Sequence, residues 1–239
     1  MRIVVLADVH ANLPALEAAL AQIEEAGYDL LVHLGDAIVI GPQPAECLKR
    51  LLALPRARMV LGNHDAYFAY GLPEPRPDWM NEGEVAHQRW THAQLDPGLR
   101  AVVATWPDRI AGAFEGVALS FVHYALRGPR QLKAIIREPG IGDLDALFAD
   151  CAGDIVCYGH DHRCADVCGR ARYLNPGSLG CAPTAVARYS VLELRDGQAE
   201  VSHHVASYDD SLLYAAFEAR MVPERTFLYR AFYGGRFPR

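Results

Sequence analysis

The chain opens with three short apolar runs that alternate with two segments of helical periodicity. The first run, residues 2–7, is rich in Val and Ile, and the runs at residues 30–34 and 58–61 continue the pattern. Continuous apolar runs of this length are typical of strands buried on both faces, which occur in sheets covered by helices. Leucines recur at helical spacing between the runs, over residues 13–27 and 44–54. The order strand, helix, strand, helix, strand predicts an α/β fold.

A polar residue with metal-ligating or catalytic chemistry follows each of these runs. In open α/β sheets, ligands bind beyond the carboxyl ends of the strands, so we expect these side chains to meet at one edge of the sheet. The string after the third run also fits a plain turn followed by a helix N-cap. The residues concerned are Asp8 and His10 after the first run, Asp36 after the second, and the string Gly62-Asn63-His64-Asp65 after the third.

The second half of the chain places further histidines at the same kind of position. A predicted hairpin, residues 109–114 with 117–122, ends at His123, and an apolar run at 155–158 ends at Gly159-His160-Asp161-His162. The other predicted elements here are an irregular loop at 128–142, a short helix at 144–148, and hairpins at 165–167 with 171–174 and at 187–194 with 199–204.

Two segments carry no such motif. Residues 71–78 are rich in proline and predict a loop, and residues 82–95 and 98–105 predict helices that could form a small cap over the site. All three tryptophans, Trp79, Trp90 and Trp106, fall in this region, which suits a cap with its own small core. His87 and His92 are interpreted as surface or packing histidines. The tail from about residue 209 predicts two helical pieces broken near Pro223.

Composition limits the classes of protein that the chain can be. A chain of 239 residues, 51% of them hydrophobic, suits one domain over residues 1–239, with a possible helical insertion at about 71–108. The net charge is −6 and no basic block occurs, so a sequence-specific nucleic-acid partner is not expected. No signal peptide and no membrane-length apolar stretch is visible, so we expect a cytoplasmic protein. A homo-oligomer is left open.

The polar residues at the strand ends form a mixed carboxylate and imidazole set without thiolates. Such donors suit Mn, Fe, Zn or Ni. Their number exceeds what one catalytic ion takes from protein and suits two ions roughly 3.5–4 Å apart, with a carboxylate between them. A site of that kind holds a bridging hydroxide at neutral pH and clamps an in-line displacement at phosphorus. The set is Asp8, His10, Asp36, Asn63, His123, His160 and His162.

The order Asp-x-His, Gly-Asp, Gly-Asn-His-Asp, His, Gly-His-x-His resembles the calcineurin-like metallophosphoesterase superfamily. The turn Asn175-Pro176-Gly177-Ser178 resembles a further motif of its small bacterial phosphodiesterase branch. The resemblance runs from Asp8 to His162 and does not cover the cap segment or the tail. It implies a two-sheet β-sandwich flanked by helices, a four-layer α/β/β/α fold.

The resemblance also implies a role for each residue of the set. His64 would stabilise the phosphoryl oxygens or protonate the leaving group, with Asp65 as its orienting partner. Manganese is the expected metal, with Fe, Zn and Ni left open. One ion would be held by Asp8, His10, Asp36 and His162, and the other by Asp36, Asn63, His123 and His160, with Asp36 bridging.

Two departures from the family pattern concern the substrate. Ala11 and Tyr124 stand where the family usually has glycine. Tyr124 either lines the substrate pocket or packs in the core. Arg127, Arg130 and Arg163 are candidates for holding a distal phosphate, the alternative for each being a solvated surface arginine.

The favoured function is a small-molecule phosphodiesterase acting on a small phosphorylated substrate. A phosphomonoesterase, including a protein phosphatase, is the first alternative, because the same ligands serve both reactions. A catalytically inactive metal-binding scaffold is the second, although every ligand and His64 are present. A thiol-based zinc or redox module around Cys157, Cys164 and Cys168 is disfavoured, because no Cys-x-x-Cys pair occurs.

Overall fold

The strands form two five-stranded sheets and one small ribbon. The computed structural model describes residues 1–236. The strands are β1 (Arg2–Leu6), β2 (Leu30–His33), β3 (Ala57–Met59), β4 (Arg109–Phe114), β5 (Val117–Val122), β6 (Leu126–Gly128), β7 (Gln131–Leu132), β8 (Ile155–Cys157), β9 (Cys164–Cys168), β10 (Arg172–Pro176), β11 (Val186–Arg195) and β12 (Gln198–Ser207). The first sheet has the order β12-β11-β1-β2-β3 and the second has the order β4-β5-β8-β10-β9.

Parallel pairing at the centre of each sheet sets the direction of the strands that lead to the candidate site. β1 pairs in parallel with β2, with Ile3 opposite Leu30, and β2 pairs in parallel with β3. In the second sheet, β8 lies parallel to both β5 and β10. The carboxyl ends of β1, β2 and β3 therefore meet at one edge, and those of β5 and β8 meet at another. The hairpin strands β4, β9 and β12 lie at the outer edges.

Eight helices lie within residues 1–236. They are α1 (Leu13–Ala26), α2 (Pro44–Leu52), α3 (Asn63–Tyr70), α4 (Glu82–Ala93), α5 (Leu99–Val103), α6 (Ile141–Leu147), α7 (Ser211–Ala219) and α8 (Arg225–Phe232). The start of α1 shows why the chain becomes helical there, since the Asn12 side chain accepts a hydrogen bond from the Ala15 N–H. Its end is fixed by Gly27, which has a φ of 73°.

The side-chain alternation of β1 separates two cores. Ile3 and Val5 pack in a cluster with Leu119 and Phe121 of the second sheet, so this cluster lies between the sheets. Val4 and Leu6 point to the other face and join a cluster with helical residues such as Leu16. A third cluster packs α6 against the outer face of the second sheet. The predicted arrangement of two sheets flanked by helices is confirmed.

The predicted loop at 128–142 is wrong at both of its ends. A short ribbon, β6 with β7, pairs Leu126 with Leu132, and α6 already begins at Ile141. Leu132 packs against the third cluster, so burial of one apolar side chain stabilises a ribbon whose tip is polar and exposed. The sequence around that tip, with Gly128 and Pro129, resembles a loop more than a strand pair.

The segment before β4 does not have a tryptophan core of its own. Trp106 is buried in the cluster between the first sheet and its helices, and Trp90 packs against the same cluster. Trp79 is 56% exposed. His87 is buried and stacks on Trp90, so the packing interpretation of that histidine is confirmed. Whether the segment acts as a separate cap stays a prediction.

The tail forms the two predicted helical pieces, α7 and α8, and both pack onto the main body. Phe217 of α7 and Tyr229 of α8 contact each other in an edge-to-face pair within the first cluster. Among the described residues, no helix combines the length and the apolar character that a membrane crossing requires.

Candidate active site

The residues at the ends of β2, β3, β5 and β8 converge around Asp36. The Nε2 of His123 lies 3.2 Å from Oδ2 of Asp36. The same nitrogen lies 3.1 Å from Oδ1 of Asn63 and 3.2 Å from Nδ1 of His160. Asp36 and His123 are buried. Four side chains that are far apart in the sequence thus present their donor atoms to one point.

A second group of donors lies beside the end of β1. The Nε2 atoms of His10 and His162 are 2.9 Å apart. Each of them lies 4.0 Å from Oδ1 of the buried Asp8. Two ring nitrogens at this distance need a proton or a shared cation between them, because their lone pairs otherwise repel. The ligand atoms of His10, Asp36 and His64 also lie within 4.8 Å of one another, so Asp36 connects the two groups.

The backbone is strained at the residues that carry these donors. Left-handed φ angles are uncommon outside glycine and cost about 1–3 kcal/mol each, and they persist only where the surrounding structure imposes them. Their concentration here shows that the fold holds these side chains at some cost in stability. The five residues and their φ angles are Asp8 (55°), His10 (46°), Asp36 (58°), His160 (73°) and His162 (62°).

The protonation states suit metal binding. Burial lowers the pKa of His10 well below its usual value, that of His162 to about 4 and that of His160 to about 3. These rings are therefore neutral near pH 7, which is the form of imidazole that binds metals. Burial would also lower the pKa of His123, but the charge of Asp36 raises it to about 9.

The buried carboxylates of the donor set, Asp8 and Asp36, lack a permanent positive partner. The ion pairs that the described residues offer to Asp8 and Asp36 are all with histidines. Burial raises the pKa of Asp8 to about 8. Burial alone would do the same to Asp36, yet the charge of His123 holds its pKa well below the usual range. A divalent cation here would favour the ionised form of Asp8 and the neutral form of His123, so the donor set fits metal ions.

Asp65 does not orient His64, so that prediction is wrong. Its Oδ2 accepts hydrogen bonds from the backbone N–H groups of Asp36, at 2.7 Å, and Gly62, at 3.2 Å. Its Oδ1 accepts from the N–H of Ala37 at 3.1 Å. Asp65 thus fastens the loop after β2 to the start of α3 and fixes the backbone of Asp36.

Gly62 makes room for Asp36. A Cβ at position 62 would overlap the backbone nitrogen and the carboxylate of Asp36. We expect Gly62→Ala to destabilise the fold by about 1–3 kcal/mol and to weaken metal binding about 10–100-fold, because Asp36 must shift. Thermal unfolding and metal titration measure the two effects. Gly142→Ala, where a Cβ meets nothing within 4 Å, is the control. Unchanged metal affinity in Gly62→Ala would contradict the role given to this contact.

The partner of His64 is Gln88, which sequence reasoning missed. The fully buried Gln88 places its amide nitrogen 2.6 Å from Nδ1 of His64. The same nitrogen donates to Oε1 of Glu84 at 2.8 Å. Because the carboxylate of Glu84 can only accept, it sets the orientation of the amide, and Nδ1 of His64 must accept as well. The ring proton of neutral His64 is thereby assigned to Nε2.

Side chains of the turn at residues 175–178 donate hydrogen bonds to residues next to the donor set. The side-chain amide of Asn175 donates to Oδ1 of Asp161 at 2.6 Å. The hydroxyl of Ser178 donates to the backbone carbonyl of Asp8 at 2.8 Å. A further buried side chain, Cys181, has its sulfur within 4.8 Å of ligand atoms of His10 and His162. Burial raises the pKa of its thiol, so Cys181 is neutral.

Comparison with known proteins identifies the family. The family model of the calcineurin-like phosphoesterase superfamily domain matches residues 1–197. The chain belongs to this superfamily. A metallophosphoesterase from Sphaerobacter thermophilus is similar in structure, with a TM-score of 0.73, 25% identity, and coverage of 94% of this chain and 95% of that one.

A further solved structure and a further protein sequence match nearly the whole chain. A hypothetical protein from Pyrococcus horikoshii shares the fold, with a TM-score of 0.82, 18% identity and 99% coverage of both chains. An uncharacterised protein from Methanocaldococcus jannaschii is 25% identical over 93% of this chain and 94% of its own length. The superfamily uses a dinuclear divalent metal site, and the His and Asp clusters of this chain accord with one.

The four residues predicted to contact substrate differ in their surroundings. Tyr124 is buried, its hydroxyl accepts from the N–H of Ile136, and its ring centroid lies 5.1 Å from that of His160. Arg130 stacks over Tyr70 and borders a small pocket next to Asn63 and His123. Two exposed arginines complete the set, Arg127 on β6 and Arg163, which pairs with Glu138. Their roles toward substrate stay predictions.

The cysteines do not form a site of their own among the described residues. Cys157 is buried between the two sheets. Cys164 and Cys168 are exposed on β9, where the sulfur of Cys164 lies 3.5 Å from Nδ1 of His203. None of the three belongs to a cluster of potential metal ligands within residues 1–236.

Proposed function

We propose that this chain is a metal-dependent phosphodiesterase of small molecules. The observation that supports this most directly is that two groups of potential metal ligands meet at Asp36. They lie at the strand ends of a chain that belongs to a superfamily of phosphoester hydrolases. A dinuclear site clamps both the attacking and the leaving oxygen at phosphorus. The burial of both carboxylates and the backbone strain around them support a site built for this purpose.

The contacts support a ligand assignment. The group around His123 suggests that Asp36, Asn63, His123 and His160 hold one ion. The group around His10 suggests that Asp8, His10, Asp36 and His162 hold the other. Manganese is the metal we favour, and Fe, Zn and Ni suit the same donors. When bound, such ions lower the pKa of a coordinated water and polarise a phosphoryl oxygen.

His64 serves as a hydrogen-bond donor to the phosphoryl group in this proposal. The amide of Gln88 leaves the proton of neutral His64 on Nε2. The ring of His64 lies 5.6 Å from that of His10, between centroids, so it borders the metal ligands. Because Nδ1 accepts from the amide of Gln88, the Nε2–H of His64 is the group left to donate a hydrogen bond to the phosphoryl oxygens.

Gln88→Ala tests this role. We expect kcat to fall about tenfold, with metal content and KM nearly unchanged, because the orientation of His64 is lost while the donor set stays intact. Steady-state kinetics and metal analysis give these values. Gln94→Ala, at the exposed C-terminal end of the same helix, is the control and should match the parent. A Gln88→Ala enzyme with full activity would show that His64 acts without this partner.

A phosphomonoesterase is the second candidate, and Arg130 favours it. Arg130 is among the residues that line the small pocket next to Asn63 and His123, and a guanidinium beside that pocket would neutralise part of the additional charge of a monoester. Hydrolysis of bis(p-nitrophenyl) phosphate and p-nitrophenyl phosphate, compared with Mn²⁺ and with chelator, separates the two functions. Metal-dependent cleavage that prefers the diester supports our proposal. Preference for the monoester overturns it in favour of a phosphatase. Absence of cleavage of both esters with each of Mn, Fe, Zn and Ni indicates a catalytically inactive scaffold.

A further inference from the structure

A pocket outside the metal ligands opens beside His64. It has a volume of about 300 Å³ and lies between the first turns of α4 and the helix α8. His64 and Ile40 belong to its lining, and the ring of His64 also lies 5.6 Å from that of His10 in the candidate site, between centroids. The volume lies at the lower end of the range for small-molecule sites, so the pocket suits part of a small ligand. We call it the α4–α8 pocket.

Three large hydrophobic aromatic side chains line the α4–α8 pocket. Trp79 precedes α4, and Phe227 and Phe232 belong to α8. Trp79 is 56% exposed and Phe227 is 57% exposed, which is unusual for rings of this size. The ring centroid of Phe232 lies 5.9 Å from that of His162, so the aromatic wall continues to a candidate metal ligand. Exposed aromatic surface in a concave site is typical of ligand-binding pockets.

The polar groups of the pocket select against phosphate. Glu84 and Glu224 contribute carboxylates and Asn81 contributes an amide, while none of the lining residues is Arg or Lys. His87 also borders the pocket, and burial lowers its pKa to about 4, so it adds no positive charge near pH 7. A second phosphate would be repelled here. A neutral group that donates N–H hydrogen bonds would be accepted by the carboxylates.

The two segments that form the pocket are in direct contact. A Cβ at Gly83 would lie 2.9 Å from the carboxyl carbon of Glu224, which shows that this side chain lies directly against the start of α4. The pocket is therefore built jointly by the segment before β4 and by the tail. These are the two regions to which no motif of the metal site belongs.

We propose that the α4–α8 pocket binds the organic group of the substrate, and that this group is a planar aromatic ring carrying N–H donors, as in a nucleobase with an exocyclic amine. The inference rests on the proposed function, because it extends the substrate of that same site. The aromatic side chains stack on the ring, and the carboxylates accept its N–H groups. His64 lies at the junction, where the ester would join this group to the phosphorus.

Binding of adenosine tests the pocket without any hydrolysis, because adenosine has no phosphate. Trp79 is the most exposed of the three tryptophans, so saturable quenching of tryptophan fluorescence is expected when adenosine is added and not when ribose is added. Trp79→Phe should remove the signal. Phe227→Ala should weaken binding about tenfold, the usual effect of removing one stacking partner. Met221→Ala, a 74% exposed residue between α7 and α8, is the control. Absence of quenching, or equal affinity in Phe227→Ala, overturns the proposal.

Kinetics then separates the failure of the pocket from the failure of the proposed function. The two probes are methyl p-nitrophenyl phosphate and the p-nitrophenyl ester of adenosine 5′-phosphate. We expect a higher kcat/KM for the adenosine ester than for the methyl ester, and Phe227→Ala should lower the ratio of the two kcat/KM values about tenfold. Cleavage of both esters without preference contradicts the substrate-binding role of the pocket and supports the phosphodiesterase function. Binding of adenosine without cleavage of either ester supports the pocket and overturns the phosphodiesterase.

Discussion

Replacing Asp36 by alanine is expected to empty both metal positions. Asp36 lies between the two donor groups, since its carboxylate lies within 4.8 Å of ligand atoms of His123 and His160 and, in a second cluster, of a ligand atom of His10. It has a second task, because its Oδ1 accepts a hydrogen bond from the backbone N–H of His64 at 2.9 Å. Its loss removes a shared ligand and loosens the start of α3. Metal analysis after loading with Mn²⁺ and gel filtration should fall from about two ions per chain to nearly none, with activity lost in parallel.

A conservative variant distinguishes loss of a ligand from loss of the fold. Asp36→Asn keeps an oxygen for the N–H of His64 but lacks the charge, so we expect it to fold and still bind Mn²⁺ at least tenfold more weakly. Asp209→Ala, which removes an exposed carboxylate far from the site in sequence, should behave like the parent in metal content. A folded Asp36→Ala protein that retains two ions would show that Asp36 does not bridge.

The donor set could be predicted because each of its members follows a strand. An apolar run of five residues fixes both the strand and the place where it ends, and parallel strands bring their carboxyl ends together. Asp8 at the end of β1 and Asp36 at the end of β2 are therefore neighbours once β1 and β2 pair in parallel. The positions of His123 and His160 follow in the same way from β5 and β8.

The partner of His64 could not be predicted in this way. Asp65 is adjacent in sequence, but consecutive residues of a helix point in different directions, so adjacency does not bring their side chains together. Asp65 instead accepts from the backbone N–H of Gly62, as acidic residues in the first turn commonly do. Gln88 lies on α4, and which face of α4 meets His64 depends on packing that no local pattern of its sequence encodes. The spacing of four residues places Glu84 and Gln88 on one helix face, but it does not predict that Gln88 contacts His64.

The tryptophans show that the sequence also does not predict which part of the core a large side chain joins. Three of them in one segment favour a local cluster, yet Trp106 packs with the helices of the first sheet and Trp79 stays exposed. Hydrophobic content predicts that a side chain will be buried more reliably than it predicts which surface will bury it. Trp79 lines the α4–α8 pocket, where we propose that the exposed ring stacks on the organic group of the substrate.

His64→Ala is expected to separate chemistry from metal binding. The ring of His64 borders the ligands of both ions, but in the proposed assignment it holds neither of them. We therefore expect metal content close to that of the parent, with kcat for bis(p-nitrophenyl) phosphate lowered by about 10²–10³, the usual loss when a donor to a developing charge is removed. Metal analysis and kinetics on the same preparation measure both values. A clear loss of metal would place His64 among the ligands.

The double variant His64→Ala with Gln88→Ala identifies how Gln88 acts. If Gln88 works by fixing the tautomer and direction of His64, it has nothing to position once the ring is gone, so the double variant should be no slower than His64→Ala alone. If the two losses instead multiply, Gln88 contributes to the reaction independently, through Glu84 or through the substrate. Because the amide donates to both His64 and Glu84 in this structure, the cycle measures which of its two hydrogen bonds matters for catalysis.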